Sequence, residues 1–381
     1  MLSNSIEIEA SAQRDAVASA PAAGHGGVLL VGNLPDGPLV GGVEVGVEMI
    51  LRSDLVARHG IRLFNTARRH DPNRPLRQRL AYQARRFIEL AAEITRNRPR
   101  LVHVKATVGI NFWQGAGYCA IARALGRRVL LQLHGGDLDS WYWQHGPWGR
   151  SAIRRALRLP SEILVLSQYW RDFIAGLQPG HPIRILPNGV RLEDAQPRTW
   201  NGSTHLRVVT LGALGERKGH FDILAAAVRL RQQAIRFVFA GAGEFGGEEA
   251  ALRARARDLG VEHLVEFTGA VTGPEKWQLL AQSDVFLLPS RGENMPNAVL
   301  EAMAAGLPVV CTPVGALRDM MTEGAMFVPV GNPAAIARAL LDLQQSPQLR
   351  VHMGRANRAT AESRFAFTAV AAELGAIYAE S

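Results

Sequence analysis

Cysteine is almost missing from this chain: its 381 residues hold only Cys119 and Cys311. Two thiols in apolar settings build neither a disulfide scaffold nor a zinc ribbon. They read as core fillers of a protein from a reducing, cytoplasmic compartment. Also missing is an apolar run of the roughly 20 residues that a membrane span needs. The most apolar long window, Ala298–Leu317, is broken by Glu301, prolines and glycines. Residues 1–27 lack the apolar block of a secretory leader. Their Ala, Ser and Gly content predicts a flexible tail over residues 1–26. Neither Gly-x-Ser-x-Gly nor His-Glu-x-x-His occurs, so two common hydrolase chemistries lack their machinery.

Apolar residues are plentiful, at 47% against 20% charged, which is enough to bury a sizeable core. At roughly 100–200 residues per domain, the length implies two domains. Short runs rich in Val, Ile and Leu recur between helix-length stretches. In the first half these are Val28–Val31, Ile61–Phe64, Leu101–Val104, Val129–Leu133, Ile163–Leu166 and Ile183–Leu186. In the second half they are Leu206–Leu211, Ile235–Ala240, Leu264–Thr268, Val285–Pro289, Pro308–Cys311 and Met326–Val330. Continuously apolar strands alternating with helices predict parallel sheets covered on both faces. Twelve strands are too many for one such sheet, so the pattern predicts α/β architecture with two doubly wound, Rossmann-like domains. The polar segment Glu193–His205, with Pro197 and Asn201-Gly202, reads as the linker between domains over residues 27–195 and 204–360. Residues 361–381 are expected to form a C-terminal helix returning towards the first domain. Two such domains facing each other leave a cleft at the carboxyl ends of their strands, where ligands bind in these folds.

The net charge of +9 is unevenly spread: residues 1–200 carry +10 and the remainder −1. Arg52–Arg100 holds thirteen arginines against Asp54, Asp71, Glu89 and Glu93. Within it, Leu76, Leu80, Ala84, Phe87, Ala91 and Ile94 step at helical spacing, flanked or opposed by Arg77, Arg79, Arg85 and Arg86. The apolar stripe is expected to pack on the sheet. The four arginines form a candidate face for an acceptor or for the anionic inner surface of a membrane. No nucleic-acid motif accompanies the charge, and no nucleic-acid partner is expected.

The most informative stretch is Ser290–Gly306, SRGENMPNAVLEAMAAG, directly after an expected strand. Pro296 suits a first helical position, and the backbone N–H groups of Asn297 and Ala298 would then emerge from a helix N-terminus, which favours a diphosphate. Glu293 precedes that helix and Glu301 lies inside it, eight residues on. One carboxylate can face a ligand beyond the phosphates, and the other can accept from a sugar hydroxyl.

This Glu-x7-Glu pattern followed by AMAAGLPVV resembles the retaining glycosyltransferases of the GT4 type (group 1), which have the GT-B fold. Further segments match in order: Gly41-Gly42 in the first strand–helix loop, Leu133-His134-Gly135 after a central strand, Pro187-Asn188-Gly189-Val190 before the linker, and Arg217-Lys218-Gly219 after the first strand of the second domain. The resemblance covers about Gly27 to Ala361. It implies transfer of a sugar from a UDP- or GDP-linked donor to an acceptor hydroxyl, on a sugar or lipid-linked acceptor of polysaccharide or glycolipid assembly. Glu293 and His134 become the catalytic candidates. Gly41, Gly42, Arg217, Lys218, Asn294, Met295, Pro296, Asn297 and Glu301 become the donor-binding candidates. Lys218 would supply a point charge to the diphosphate and Arg217 a bidentate fork. The pattern departs from the family at Ala213, where many members carry an arginine, and Arg217 is the candidate to replace it. With cations and a helix N-terminus on the diphosphate, no metal and no cofactor are expected.

Two other motifs support different readings. Gly241-Ala242-Gly243-Glu244-Phe245-Gly246 fits a dinucleotide fingerprint and would suit an NAD-dependent sugar-nucleotide oxidoreductase, although no Tyr-x-x-x-Lys pair accompanies it. Asp137-Leu138-Asp139 has the form of a divalent-cation site on a donor diphosphate, but it follows His134-Gly135-Gly136, so helix capping or acceptor contact is expected of Asp137. A non-catalytic sugar-binding protein is the third reading.

Overall fold

The computed structural model describes residues 26–34, 41–67, 75–200, 202, 204–243 and 246–380, and only the backbone of residues 76, 79 and 80. Apart from Gly26, the tail expected over residues 1–26 lies outside the described residues. The first series runs β1 (Val28–Gly32), α1 (Gly42–Leu51), α2 (Leu55–His59), β2 (Arg62–Asn65), α3 (Leu76–Asn97), β3 (Leu101–Ala106), α4 (Ile110–Ala124), β4 (Arg128–Leu133), α5 (Leu138–Gln144), α6 (Pro147–Ala156), β5 (Glu162–Val165), α7 (Gln168–Leu177) and β6 (Ile183–Ile185). The second begins with β7 (Leu206–Leu211), α8 (His220–Arg229), β8 (Ile235–Ala240), α9 (Glu248–Asp258), β9 (Val265–Gly269), α10 (Gly273–Ala281) and β10 (Val285–Leu288). It continues with α11 (Asn297–Ala304), β11 (Val309–Cys311), α12 (Leu317–Met320), β12 (Ala325–Phe327), α13 (Pro333–Gln345), α14 (Pro347–Arg364) and α15 (Phe367–Ala379).

All twelve apolar runs become strands, six in each of two sheets. The last one is shorter than its run, because Val330 leaves the sheet and is exposed. The continuous apolar runs have a simple cause. In β10, Phe286 and Leu288 enter a core on one face of the second sheet, while Val285 and Leu287 enter the core on the other. Side chains alternate along a strand, so a strand covered on both faces must be apolar throughout.

The strand orders, β2-β1-β3-β4-β5-β6 and β12-β11-β10-β7-β8-β9, each reverse direction once. The reversals fall between β1 and β3 in the first sheet and between β7 and β10 in the second. At such a point the loops leave to opposite faces and open a crevice at the strands' carboxyl ends.

The chain divides into two compact units: Met1–Gln132, Ala152–Ile163 and Leu374–Ser381 in one, Leu133–Ser151 and Leu164–Glu373 in the other. This partition does not follow a cut at residues 193–205. That segment is tied to the second unit: Arg198 donates to the carboxylate of Asp284 at 2.7 Å and to the carbonyl of Ala281 at 3.2 Å. In the first unit, Tyr378 Oη lies 2.7 Å from Nδ1 of His103, and both residues are fully buried.

Helix α3 corrects the expected stripe. Among its described side chains, Leu90 and Ile94 are the fully buried ones and Ala84 is exposed; the side chains of Leu76 and Leu80 lie outside the described residues. Arg86 does not join a solvent face. Its guanidinium lies 4.2 Å from the centroid of Phe64 and donates to Glu89 at 2.7 Å and to the carbonyl of Asn65. The aromatic ring at the end of β2 turns this arginine inward. Arg85 is exposed but paired with Glu89 at 2.7 Å, Arg77 is exposed, and the side chain of Arg79 lies outside the described residues.

Candidate active site

In the second unit, the reversal between β7 and β10 gathers most of the candidate residues. The loop after β7 carries Arg217 and Lys218, and the loop after β10 carries Ser290 to Pro296. Gly219 joins the two. Its φ of +79° is left-handed, and a Cβ there would stand 2.2 Å from the carbonyl oxygen of Pro289. Only glycine lets the backbones approach this closely. Arg291 N–H closes the junction by donating to the carbonyl of Arg217 at 2.9 Å.

Lys218 Nζ then lies 2.6 Å from Glu293 Oε1, with both side chains nearly buried. The same oxygen accepts from Ser290 Oγ at 2.6 Å. Next to Lys218, His220 packs edge-on against Phe239, and burial pushes its imidazole down to about 4, so it stays neutral and serves the loop's packing.

The backbone at Glu293 is held from two sides. A Cβ on Gly136 would meet the carbonyl carbon of Glu293 at 2.7 Å, and one on Gly315 would meet its carbonyl oxygen at 1.8 Å. The His134-Gly135-Gly136 segment therefore runs directly over Glu293 and Asn294. His134 follows the end of β4 and is half-buried. Asn294 is buried; its side chain donates to the carbonyl of Leu133 at 3.4 Å, and its own carbonyl accepts from the N–H of Ala316 at 2.8 Å.

Pro296 is the N-cap of α11 and not its first helical residue. Its ψ is 120°, and its carbonyl accepts from the N–H of Val299 at 3.0 Å. Asn188 fixes this entry, because its side-chain amide donates to the carbonyl of Met295 at 3.0 Å and to the side-chain oxygen of Asn297 at 2.9 Å. Glu301, one face round α11, is occupied separately: Lys276 of α10 donates to it at 2.6 Å, while burial raises its carboxyl above the ordinary range.

Arg217 is exposed beside Lys218. Gly41 and Gly42 open α1 in the first unit, with Gly41 as N-cap. The residues preceding them, 35–40, lie outside the described residues.

Ser290 and Asn188 take part in the site as partners of motif residues, and motif spacing alone gave them no role. In the first unit, Lys105 is likewise a residue to which motif spacing gave no role. It stands at the end of β3, at the strand reversal of the first sheet. Its chain passes Gly32 at the end of β1, and its ammonium lies 3.4 Å from where a Cβ on Gly46 would be. Burial pushes this ammonium down to about 7.

In the other two motifs, Gly241 and Asp139 have structural partners, while Glu244 and Phe245 lie outside the described residues. Gly241 sits where the extensions of β7 and β8 cross: a Cβ there would lie 1.8 Å from the carbonyl oxygen of Gly212. The N–H groups of Gly212 and Leu214 continue the sheet onto the carbonyls of Ala240 and Ala242, at 3.0 and 2.9 Å. These glycines thus serve strand crossing. Of the acidic pair, Asp137 is the N-cap of α5 without a side-chain capping bond, and Asp139 accepts from Tyr169 Oη at 2.5 Å.

Two family profiles match the chain in tandem: Glycosyltransferase Family 4 over residues 40–194 and Glycosyl transferases group 1 over residues 205–346. Among curated relatives, a phosphatidyl-myo-inositol mannosyltransferase of Propionibacterium freudenreichii is 29% identical over 219 residues, 54% of this chain and 52% of that protein. A GDP-mannose-dependent alpha-(1-6)-phosphatidylinositol monomannoside mannosyltransferase of Mycobacterium tuberculosis is 28% identical over 268 residues, 65% of this chain and 68% of that protein. The matches thus span about half to two thirds of these relatives' length. Among solved structures, sucrose-phosphate synthase from Thermosynechococcus elongatus aligns with a TM-score of 0.77 at 18% identity, covering 93% of this chain and 99% of the other. Anabaena HepE in complex with UDP-glucose aligns with a TM-score of 0.72 at 17% identity, covering 94% and 100%. These likenesses establish a shared fold, the GT-B arrangement of two α/β sheets.

Proposed function

Since this chain belongs to the family 4, group 1 glycosyltransferases, we propose that it moves a sugar from a nucleotide-sugar donor to an acceptor hydroxyl with retention of configuration. The observation that carries the reading is the Ser290–Glu293–Lys218 cluster at the strand reversal of the second sheet. A cation and a carboxylate stand together there beside the start of α11, which is what a sugar diphosphate requires.

In this reading Lys218 leaves Glu293 to meet the diphosphate, with Arg217 as a second cation and the α11 N-terminus adding its dipole. Glu293, freed of the ammonium, orients the sugar hydroxyls together with His134. The bond from the anomeric carbon to the diphosphate oxygen breaks as the bond to the acceptor oxygen forms. The acceptor's proton passes to the departing diphosphate on the same face. Charge develops on the leaving group, where the cations are. Asn188 and Ser290 position the machinery without touching the sugar. The relatives' names, a phosphatidyl-myo-inositol and a GDP-mannose-dependent mannosyltransferase among them, support a lipid-linked acceptor and a UDP- or GDP-linked donor.

A thermal-shift screen against UDP and GDP tests the donor side. A ligand at 100 times its Kd adds about 2.7 kcal/mol, so one nucleotide should raise Tm clearly, with EDTA leaving the shift intact. No shift with either nucleotide would overturn the reading. NMR of the product's anomeric proton tests retention, and an inverted anomer would refute it.

A further inference from the structure

Trp148 is 90% exposed and Trp143 61% exposed. Both belong to the corner between α5 and α6. These helices are otherwise sorted in the ordinary way: Leu138 and Tyr142 of α5 and Ile153 and Ala156 of α6 are buried. The two indoles are the exceptions, and they are the largest side chains available. Isolated exposed apolar residues need no explanation, but two tryptophans left exposed at one helix corner do.

The surroundings are mainly basic: α5 and α6 carry Arg150, Arg154 and Arg155 against Asp139. Residues 140–161 contain Arg150, Arg154, Arg155 and Arg158 and no Asp or Glu. Arg150 places its guanidinium 5.3 Å from the centroid of Trp143. An indole with an arginine beside it suits the boundary of a bilayer: the ring enters the headgroup layer while the guanidinium meets lipid phosphate. Asp139, the one carboxylate within α5 and α6, is engaged by the Tyr169 hydroxyl, and the arginines outnumber it, so the corner keeps a net attraction to an anionic leaflet. On helix α3, Arg86 is turned inward and Arg85 is paired with Glu89, while among its described side chains no tryptophan accompanies the exposed Arg77.

We propose that the α5–α6 corner, led by Trp143, Trp148 and Arg150, docks on an anionic lipid surface. The indoles anchor and the arginines select for anionic headgroups. This goes beyond the sugar-transfer reading, and it is tested without donor or acceptor.

The test is sedimentation of the full chain with vesicles of phosphatidylcholine and phosphatidylglycerol at about 7:3, in low salt. The wild type should pellet with these vesicles and stay in solution with pure phosphatidylcholine. The Trp143→Ala/Trp148→Ala variant should partition about tenfold or more weakly, since each indole contributes buried apolar area. Both positions are exposed, so folding should be kept, as circular dichroism would verify. Arg150→Gln should weaken binding to the anionic vesicles by several-fold, and Arg77→Gln/Arg85→Gln should change it less than twofold. The proposal is overturned if the tryptophan variant pellets like the wild type, if the wild type ignores anionic lipid, or if the α3 variant alone abolishes pelleting. It is also overturned if light scattering shows a dimer that the tryptophan substitutions split into monomers, because the corner would then belong to a second copy of the chain.

Discussion

Lys218 Nζ and Glu293 Oε1 stand 2.6 Å apart although 75 residues separate them in the chain. The pair is buried enough that water does little to weaken it, and the carboxylate oxygen already holds the Ser290 hydroxyl. A diphosphate therefore has to compete with Glu293 for the ammonium. Glu293→Gln should remove the competitor while keeping the shape. Transfer should fall by about a hundredfold or more, the scale on which a transition-state contact acts. Affinity for the nucleoside diphosphate should stay level or tighten. Turnover near wild type, or a parallel loss of nucleotide affinity in calorimetry, would contradict this role.

Lys218→Ala makes the opposite change. Hydrogen bonds to charged groups contribute about 1.5–3 kcal/mol, so affinity for the nucleoside diphosphate should fall roughly 10- to 100-fold. The nucleoside alone should bind almost as before. Equal losses for both ligands would make Lys218 a structural residue.

Asp284 accepts from Arg198 and from the N–H of Arg207, at 2.7 and 2.8 Å, and both charged side chains are nearly buried. Asp284→Ala would leave a buried guanidinium without its carboxylate, a loss of about 3–5 kcal/mol. Urea denaturation should register it as a lower midpoint. A change under 1 kcal/mol would mean that the segment over residues 193–205 is held by other contacts.

Lys105 gives a pH signature. Its ammonium, ordinarily near 10.5, is pushed down to about 7 in the folded chain. Between those values the unfolded chain binds the extra proton, so this residue makes stability rise with pH from about 7 to about 10.5. Lys105→Met should therefore raise Tm at pH 7, by on the order of 2–4 °C for each kcal/mol recovered. The advantage should shrink towards pH 10.5. A Tm difference independent of pH would show that packing, and not charge, is responsible.

The strands were legible because their apolar runs carry both faces of a covered sheet, as Val285 to Leu288 do. Glu293 and Lys218 were legible as motif residues. Their mutual contact was not, nor were the bonds from Ser290 and Asn188, since a hydrogen bond between distant segments leaves no periodicity. Arg86 misled for the same reason: helical spacing describes its own helix and says nothing of Phe64 on the neighbouring strand. Pro296 was displaced by one position because a proline is compatible with both the cap and the first turn.

The missing side chain at Gly219 has a consequence for anyone altering donor preference. A single methyl there would collide with the Pro289 carbonyl and wedge the β7 loop away from β10, carrying Lys218 off Glu293. A mutational scan should thus find inactive variants at a position with no side chain to offer a ligand, and a pocket-based library would overlook them. Glu216, exposed on the same loop, can be exchanged without a comparable clash.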